Sequence, residues 1–343
     1  MNRTRKVSTI IRGIPTSIWN FIDPFPRKRQ FFNKVDTKGR AEPEENPANP
    51  GMVFVHFVAI PLRTTYSCQT MKLPRLRTIL LAPVVLFIAF YFIGVMANLL
   101  DDRKVEPLSN ARSGSIEEIA VFGASGTAGD GILKAALADP GVNTIHVITR
   151  RTTPRIEAGV ARGKVVMTKH TNYLDYSAVQ DRFRDVRTVY WALGTSSRNV
   201  DDETYSVIHV DFPLQFVKEW LQVSRKPDIS FHYISSSDIS EDSSMHWARE
   251  KVRAEKELFA LADGTKLKVI AYRPDYIGPT EEEAHLGQEL LYWFFAPVRA
   301  AVRAQQIGES MLEVTVRGDE FENGDKLGTV SILNYSDAYR NRQ

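Results

Sequence analysis

Through the last two-thirds of the chain, apolar residues arrive in short blocks separated by stretches of helical spacing. Residues 119–122 form one apolar run. After a glycine-rich break, Ile132, Leu133, Ala136 and Leu137 recur at helical spacing until Asp139, Pro140 and Gly141 stop the pattern. Residues 145–149, 189–192, 231–234 and 267–272 are further apolar runs. Continuous apolar runs suit strands buried on both faces of a parallel sheet, and their alternation with helical segments predicts βαβ units. The expected fold class is α/β: a doubly wound parallel sheet (Rossmann type) making a single domain over 116–343. Residues 287–302, GQELLYWFFAPVRAAV, read as an aromatic helix that could line an apolar pocket, face a membrane or, by default, sit in the core. No internal repeat is visible.

Upstream the pattern differs. Residues 79–100 carry no charge, and at ~1.5 Å per residue they are long enough to cross a ~30 Å hydrocarbon layer. They are expected to form a transmembrane helix ahead of the domain, kinked tolerably at Pro83. Lys72, Arg75 and Arg77 precede the run, and Arg103, Lys104 and Arg112 follow it. The small bias places the N-terminus in the cytoplasm and the C-terminal part across the membrane. The endoplasmic reticulum or a mitochondrial membrane is the expected location. Residues 52–62 are too short to span, and residues 101–115 form a polar linker.

Charge separates the two regions. Residues 1–70 hold 11 basic against 5 acidic residues, a net +6, and the rest hold 33 against 36, a net −3. The leader is read as a disordered basic tail. Two other readings stay open: a targeting segment, since residues 1–22 are Arg-rich and free of acids, or a stretch ahead of a natural start at Met71. The overall +3 gives no argument for nucleic acid. Cys68 is the single cysteine, so an intrachain disulfide and a cysteine-clustered zinc site are excluded. The histidines show no metal-ligand spacing, so no metal is expected, and no GxSxG or HExxH motif occurs.

The most informative stretch is Gly123-Ala124-Ser125-Gly126-Thr127-Ala128-Gly129, set between a strand and a helix. Glycines permit a sharp turn and a close backbone approach to a pyrophosphate, while the helix N-terminus offers unpaired N–H groups. Read as a dinucleotide loop, this segment binds NAD(P). The plainer alternative is a glycine-rich turn without ligand. The next strand ends at Arg150 and Arg151, and no acid occurs between Asp139 and Glu157. An acid there would hold the ribose of NAD, whereas arginine accommodates the 2′-phosphate of NADP, so NADP(H) is favoured over NAD(H). Leu193-Gly194-Thr195, Ser235-Ser236-Ser237 and Arg273-Pro274-Asp275 follow later strands, at the sheet edge where ligands of such folds bind.

Together these residues resemble the short-chain dehydrogenase/reductase superfamily, in particular its atypical NADPH-binding members related to the Tat-interacting-protein oxidoreductase. The resemblance covers about 117–340. It rests on the 123–129 loop, Arg150-Arg151, residues 193–195 and 235–237, Lys251 and residues 273–278. Residues 307–314 and 330–339 look like that group's closing helix, strand and helix. The resemblance implies hydride transfer between a nicotinamide and a carbonyl or alcohol. In that scheme Ser236, or alternatively Ser237, faces the substrate. Lys251 holds the ribose and tunes a tyrosine one helical turn earlier. That tyrosine position is Trp247, whose indole N–H only donates and cannot act as a proton-transfer acid near neutral pH. Substitute acids are His246, about 100° round the helix from Trp247, and Tyr205, Tyr233 or Tyr276. Lys251 also lies among alternating charges (Arg249, Glu250, Arg253, Glu255, Lys256, Glu257), a pattern that usually marks a solvated face.

The expected function is a membrane-anchored NADPH-dependent reductase of a small carbonyl compound, apolar if it arrives from the bilayer. The alternative is a catalytically retired NADPH-binding module that engages a protein partner. A third reading is isomerase or dehydratase chemistry with no net NADPH loss.

Overall fold

The computed structural model describes residues 76–101, 105–106, 108 and 116–342. The leader, Cys68 and most of the 101–115 segment lie outside the described residues. Helix α1 (Leu76–Leu99) contains Pro83 near its start. Its window from Leu81 to Leu99 has a mean hydropathy of 2.1 and no buried residue, so it is long and apolar enough to cross a membrane.

The body begins with β1 (Glu118–Phe122), α2 (Thr127–Ala138), β2 (Thr144–Thr149), α3 (Pro154–Ala161), β3 (Val165–Lys169) and β4 (Thr188–Trp191). Then follow α4 (Asp202–Ser206), a π-helical turn over Val207–Asp211, α5 (Phe212–Val223), β5 (Ile229–Ile234) and α6 (His246–Ala262). The chain continues through β6 (Leu267–Arg273), β7 (Tyr276–Gly278), α7 (Leu286–Phe295), β8 (Ala301–Arg303), α8 (Ala304–Val316), β9 (Lys326–Gly328) and α9 (Thr329–Arg342). The main sheet has the order β3-β2-β1-β4-β5-β6-β9, and every neighbouring pair is parallel. The strand order reverses between β1 and β4, which opens a crevice at their carboxyl ends.

Both faces are covered. Ile119 and Val121 point into an apolar cluster with α2 and α8, whereas Ala120 and Phe122 point into a second cluster with Phe216, Trp220 and Leu258. This period-two alternation divides a fully buried strand between two cores. The tightest helix packing is α2 on α8. A Cβ on Gly131 would stand 2.1 Å from the Ala304 carbonyl carbon, so only glycine fits between the two backbones.

The aromatic stretch departs from the helix expected over 287–302. The α-helix ends at Phe295, a short 3₁₀ turn covers Ala296–Val298, and Ala301–Arg303 pairs as a strand with Tyr276–Gly278. Pro297 removes a helical N–H, and Arg299 takes a left-handed φ of 53°, which ends the helix. The helical part is not core either, because no residue of α7 is buried, whereas Ala301 and Val302 of β8 are.

Replacing Gly131 by valine should destabilise the fold by about 2–3 kcal/mol through overpacking against Ala304. Denaturant unfolding checks this, and an unchanged midpoint would contradict the packing described.

Candidate functional site

The crevice is built from strand ends. At the end of β1, Gly123 has φ +77°, and a Cβ there would lie 2.5 Å from the carbonyl carbon of Ala192 beyond β4. A side chain would therefore be both strained and in collision. Gly126 caps α2 in an extended conformation with no side-chain cap hydrogen bond. The first-turn N–H groups of Thr127, Ala128 and Gly129 have no intrahelical carbonyl, as at any helix start. Gly129 sits against the carbonyl of Gly123, with no room for a methyl group. Ala124 is buried, and the carbonyl of Ser125 accepts from Arg151 Nη2 at 3.4 Å. Arg151 thus reaches from the end of β2 over the glycine loop. Its neighbour Arg150 lies close enough to Tyr173 to act on it electrostatically.

Beyond β4, Leu193, Gly194 and Thr195 line a cleft of 320 Å³ together with Tyr205, His209, Ser236, Trp247 and Lys251. Five elements converge there: the ends of β4 and β5, α4, the π-helical turn and α6. The π-helical turn carries His209 toward the strand end, and a Cβ on Gly194 would meet its ring carbon at 2.7 Å. His209 Nε2 lies 3.1 Å from the Thr195 amide nitrogen and 2.9 Å from its carbonyl oxygen, so the tautomer decides which contact is the hydrogen bond. Tyr205 stacks on His209 at 4.1 Å.

Lys251 departs from the solvated face expected of its helix. It is 8% exposed, and its Nζ donates to the carbonyl of Ile234 at 2.9 Å and to the Tyr233 hydroxyl at 3.4 Å. Glu255, one turn on, is also buried and is held by Arg273 of β6. The charges at 251 and 255 therefore face the sheet, and the alternation along the chain hid an inward-facing stripe. Burial lowers the Lys251 ammonium to about 7, against the opposing pull of Glu255. Burial, reinforced by the Lys251 charge, holds His209 well below the usual imidazole range. Burial raises both Tyr205 and Tyr233 above the usual phenol range.

Other residues singled out from the sequence separate. Trp247 lines the cleft with Lys251. His246 turns away from it, 3.0 Å from Ser206 Oγ and 3.1 Å from the Asp202 carbonyl. Ser236 lines the cleft, but Ser237 lines a different depression with Asp275, its N–H donating to the Pro274 carbonyl at 3.2 Å. Pro274 does not line the cleft. Tyr276 donates to the Gln288 carbonyl at 3.4 Å, away from Lys251. His209 is the residue that sequence reasoning passed over. The only hint was its place four residues after Tyr205, and nothing along the chain announces the π turn that aims it.

The capless N-terminus of α2 and the open backbone beside Gly126 fit a dinucleotide pyrophosphate. Thr195 Oγ1, His209 Nδ1 and Ser235 Oγ are buried without a partner among the described residues. Such polar atoms are what a bound polar ligand would satisfy. Among the described residues no His/Cys/Asp/Glu cluster could hold a metal ion.

Similarity to solved structures decides the fold. A short-chain dehydrogenase from Pseudomonas syringae superposes with a TM-score of 0.50 at 15% identity, over 66% of this chain and 100% of that one. The chain folds as a short-chain dehydrogenase/reductase. A mutant short-chain dehydrogenase/reductase from Serratia marcescens also gives 0.50, at 16% identity, over 63% of this chain and 97% of that one. No protein-family model and no curated protein matches the sequence. Within the short-chain dehydrogenase/reductase fold, the cleft lies at the carboxyl edge of β4 and β5, where open α/β sheets bind their ligands.

The buried lysine makes stability depend on pH. Between about 7 and 10.5 Lys251 is neutral when folded and protonated when unfolded, so the unfolded state binds more protons and stability rises with pH. Ligand-free protein should gain melting temperature across this window, and Lys251→Met should flatten the rise. A slope unchanged by the substitution would contradict the burial.

Proposed function

We propose that the protein is a membrane-anchored oxidoreductase that uses NADPH to reduce a carbonyl compound. The observation that carries the reading is the convergence of Lys251, Ser236, Trp247 and Thr195 on one cleft beside the 123–129 loop. The pyrophosphate is assigned to the N–H groups of Ser125, Thr127, Ala128 and Gly129, since the Gly126 N–H donates to the Gly123 carbonyl at 2.9 Å. The 2′-phosphate is assigned to Arg150 and Arg151, supported by the reach of Arg151 over Ser125. When bound, the dinucleotide supplies a hydride.

The chain's own residues supply the rest. Ser236 donates a hydrogen bond to the substrate oxygen and orients the carbonyl. The oxygen that gains negative charge then needs a proton. Trp247 cannot provide it, and His209 is held neutral. Tyr205 and Tyr233 are too weakly acidic. Lys251, brought to about 7, is the cleft group whose ionisation matches neutral conditions, and its ammonium is assigned as the proton source. Trp247 adds an apolar wall, which suits an apolar substrate delivered from a bilayer through the α1 anchor. The endoplasmic reticulum or a mitochondrial membrane is the assigned location.

Trp247 at the usual tyrosine position also favours a second reading, a cofactor-binding module without turnover that engages a protein partner. Titration with NADPH and NADH, followed by NADPH absorbance with a panel of aldehydes and ketones, separates the two. Consumption supports the reductase, and tight binding without consumption supports the module.

The double substitution Arg150→Ala with Arg151→Ala should weaken NADPH by roughly tenfold or more, while NADH changes by no more than about threefold. Equal losses would defeat the NADPH assignment. Lys251→Arg keeps the charge but cannot release its proton, so turnover should fall about 100-fold with a much smaller change in NADPH affinity. Retained turnover would remove Lys251 as the acid.

A further inference from the structure

Helix α7 is amphipathic in an unusual place. Its inner side is tied to the body: Tyr276 donates to the Gln288 carbonyl, Glu289 pairs with Arg303 at 2.6 Å, and the Arg303 guanidinium lies 3.7 Å over the Tyr292 ring. Its outer side is Leu286, Leu290, Leu291, Trp293 and Phe294. Leu286 is 92% exposed, Leu290 73% and Trp293 71%. The spacing i, i+4, i+7, i+8 puts Leu286, Leu290, Trp293 and Phe294 on one stripe, with Leu291 at its edge. Five large apolar groups exposed on ten residues form a patch that monomeric soluble proteins rarely show.

The neighbour of this patch identifies what covers it. Phe87 and Tyr91 of α1 stack on Phe294, with centroids 6.1 Å and 5.3 Å away. The Tyr91 hydroxyl donates to the Phe294 carbonyl at 3.0 Å, and Asn98 donates to the Pro297 carbonyl at 3.5 Å. Asp101 and Arg299 pair at 3.6 Å just beyond. These contacts run along α1 from residue 87 to residue 98. At ~1.5 Å per residue that is ~16 Å, about half of a ~30 Å hydrocarbon layer. The outward residues of α1 over the same length, Phe90, Ile93 and Met96 among them, are exposed, so the two apolar surfaces are continuous. A helix packed alongside the C-terminal half of a membrane span shares its solvent.

We infer that α7 is immersed in one leaflet of the bilayer, with Leu286, Leu290 and Trp293 against acyl chains, Phe294 against α1 and its Glu289–Arg303 side held by the body. The inference rests on the anchoring reading of α1. It gives the protein a second, in-plane membrane contact and fixes the face that the body turns to the lipid. Trp293 suits that contact, since its ring is apolar and its indole N–H is satisfied by Glu289 Oε2 at 3.0 Å.

Trp293 is also the probe. Of the five tryptophans, Trp191 and Trp220 are 1% exposed within the body, Trp247 lines the cleft, and Trp19 lies in the leader. The full chain carrying Trp19→Phe is reconstituted into phosphatidylcholine vesicles, with and without phosphatidylcholine brominated on its acyl chains. Co-flotation and tryptophan quenching are read on the same samples. The chain should float with the vesicles and its emission should be quenched. Adding Trp293→Phe should remove roughly half or more of the quenching, and Leu290→Asp, at an exposed position, should reduce it without loss of the folded state. Flotation with quenching indifferent to Trp293→Phe would overturn the inference while sparing the anchor. Stripe residues shielded by a second copy, seen as chemical cross-linking through α7 without quenching, would overturn it in favour of self-association. Failure to float would overturn both.

Discussion

Everything at the candidate site depends on one steric fact: the backbones after β1 and β4 come into contact at Gly123. With β1 hydrogen-bonded to β2 on one side and β4 on the other, the chain leaving β1 must turn away sharply while the chain leaving β4 passes beside it. The Ala192 amide donates to the Phe122 carbonyl at 3.0 Å, so the two strand ends are locked in register before they diverge. Only a residue with no Cβ permits that approach. The direction of α2, the opening beside Gly126 and the cleft floor at Leu193–Thr195 all inherit their geometry from it.

The second organising feature is electrostatic. Helix α6 alternates acids and bases, yet Lys251 and Glu255 are turned inward while Arg253 and Lys256 stay out. A buried ammonium is costly unless it has partners. Here the Ile234 carbonyl, the Tyr233 hydroxyl and the nearby Glu255 provide them, and the cost that remains appears as a lysine that titrates near neutrality. The same desolvation keeps His209 neutral and the adjacent phenols protonated. The cleft therefore holds one group whose ionisation falls near neutrality, with Trp247 beside it.

The aromatic helix shows how a single pattern supports different outcomes. The run of leucine and aromatic side chains over 287–302 suggested core because apolar residues are usually buried. Its position after β6, with Glu289 and Arg303 tying one side down, instead turns the stripe outward beside α1. Whether an apolar stripe meets protein or another apolar medium depends on which side carries the polar anchors. That pairing joins residues 14 apart across a turn that Pro297 and Arg299 create.

Local order was written plainly in the chain. The strands β1, β2, β4, β5 and β6, the glycine turn, the helix stop at Asp139-Pro140 and the uncharged 79–100 segment follow from spacing, turn chemistry and length, which act between near neighbours. The loop residues 123–129 and the cleft residues 193–195 and 236 were legible because each sits at a strand end that the pattern locates, whereas Lys251, inside α6, was singled out only by its spacing in the family resemblance. Ser237, His246 and Pro274 were placed by adjacency along the chain, but one residue of difference on a strand end or helix rotates a side chain to another face. His209 joined the cleft through a π turn with no local signature. The inward rotation of Lys251, the exposure of α7 and the contact between Gly131 and Ala304 were decided only when distant segments packed, because burial is a property of what lies across from a residue rather than beside it.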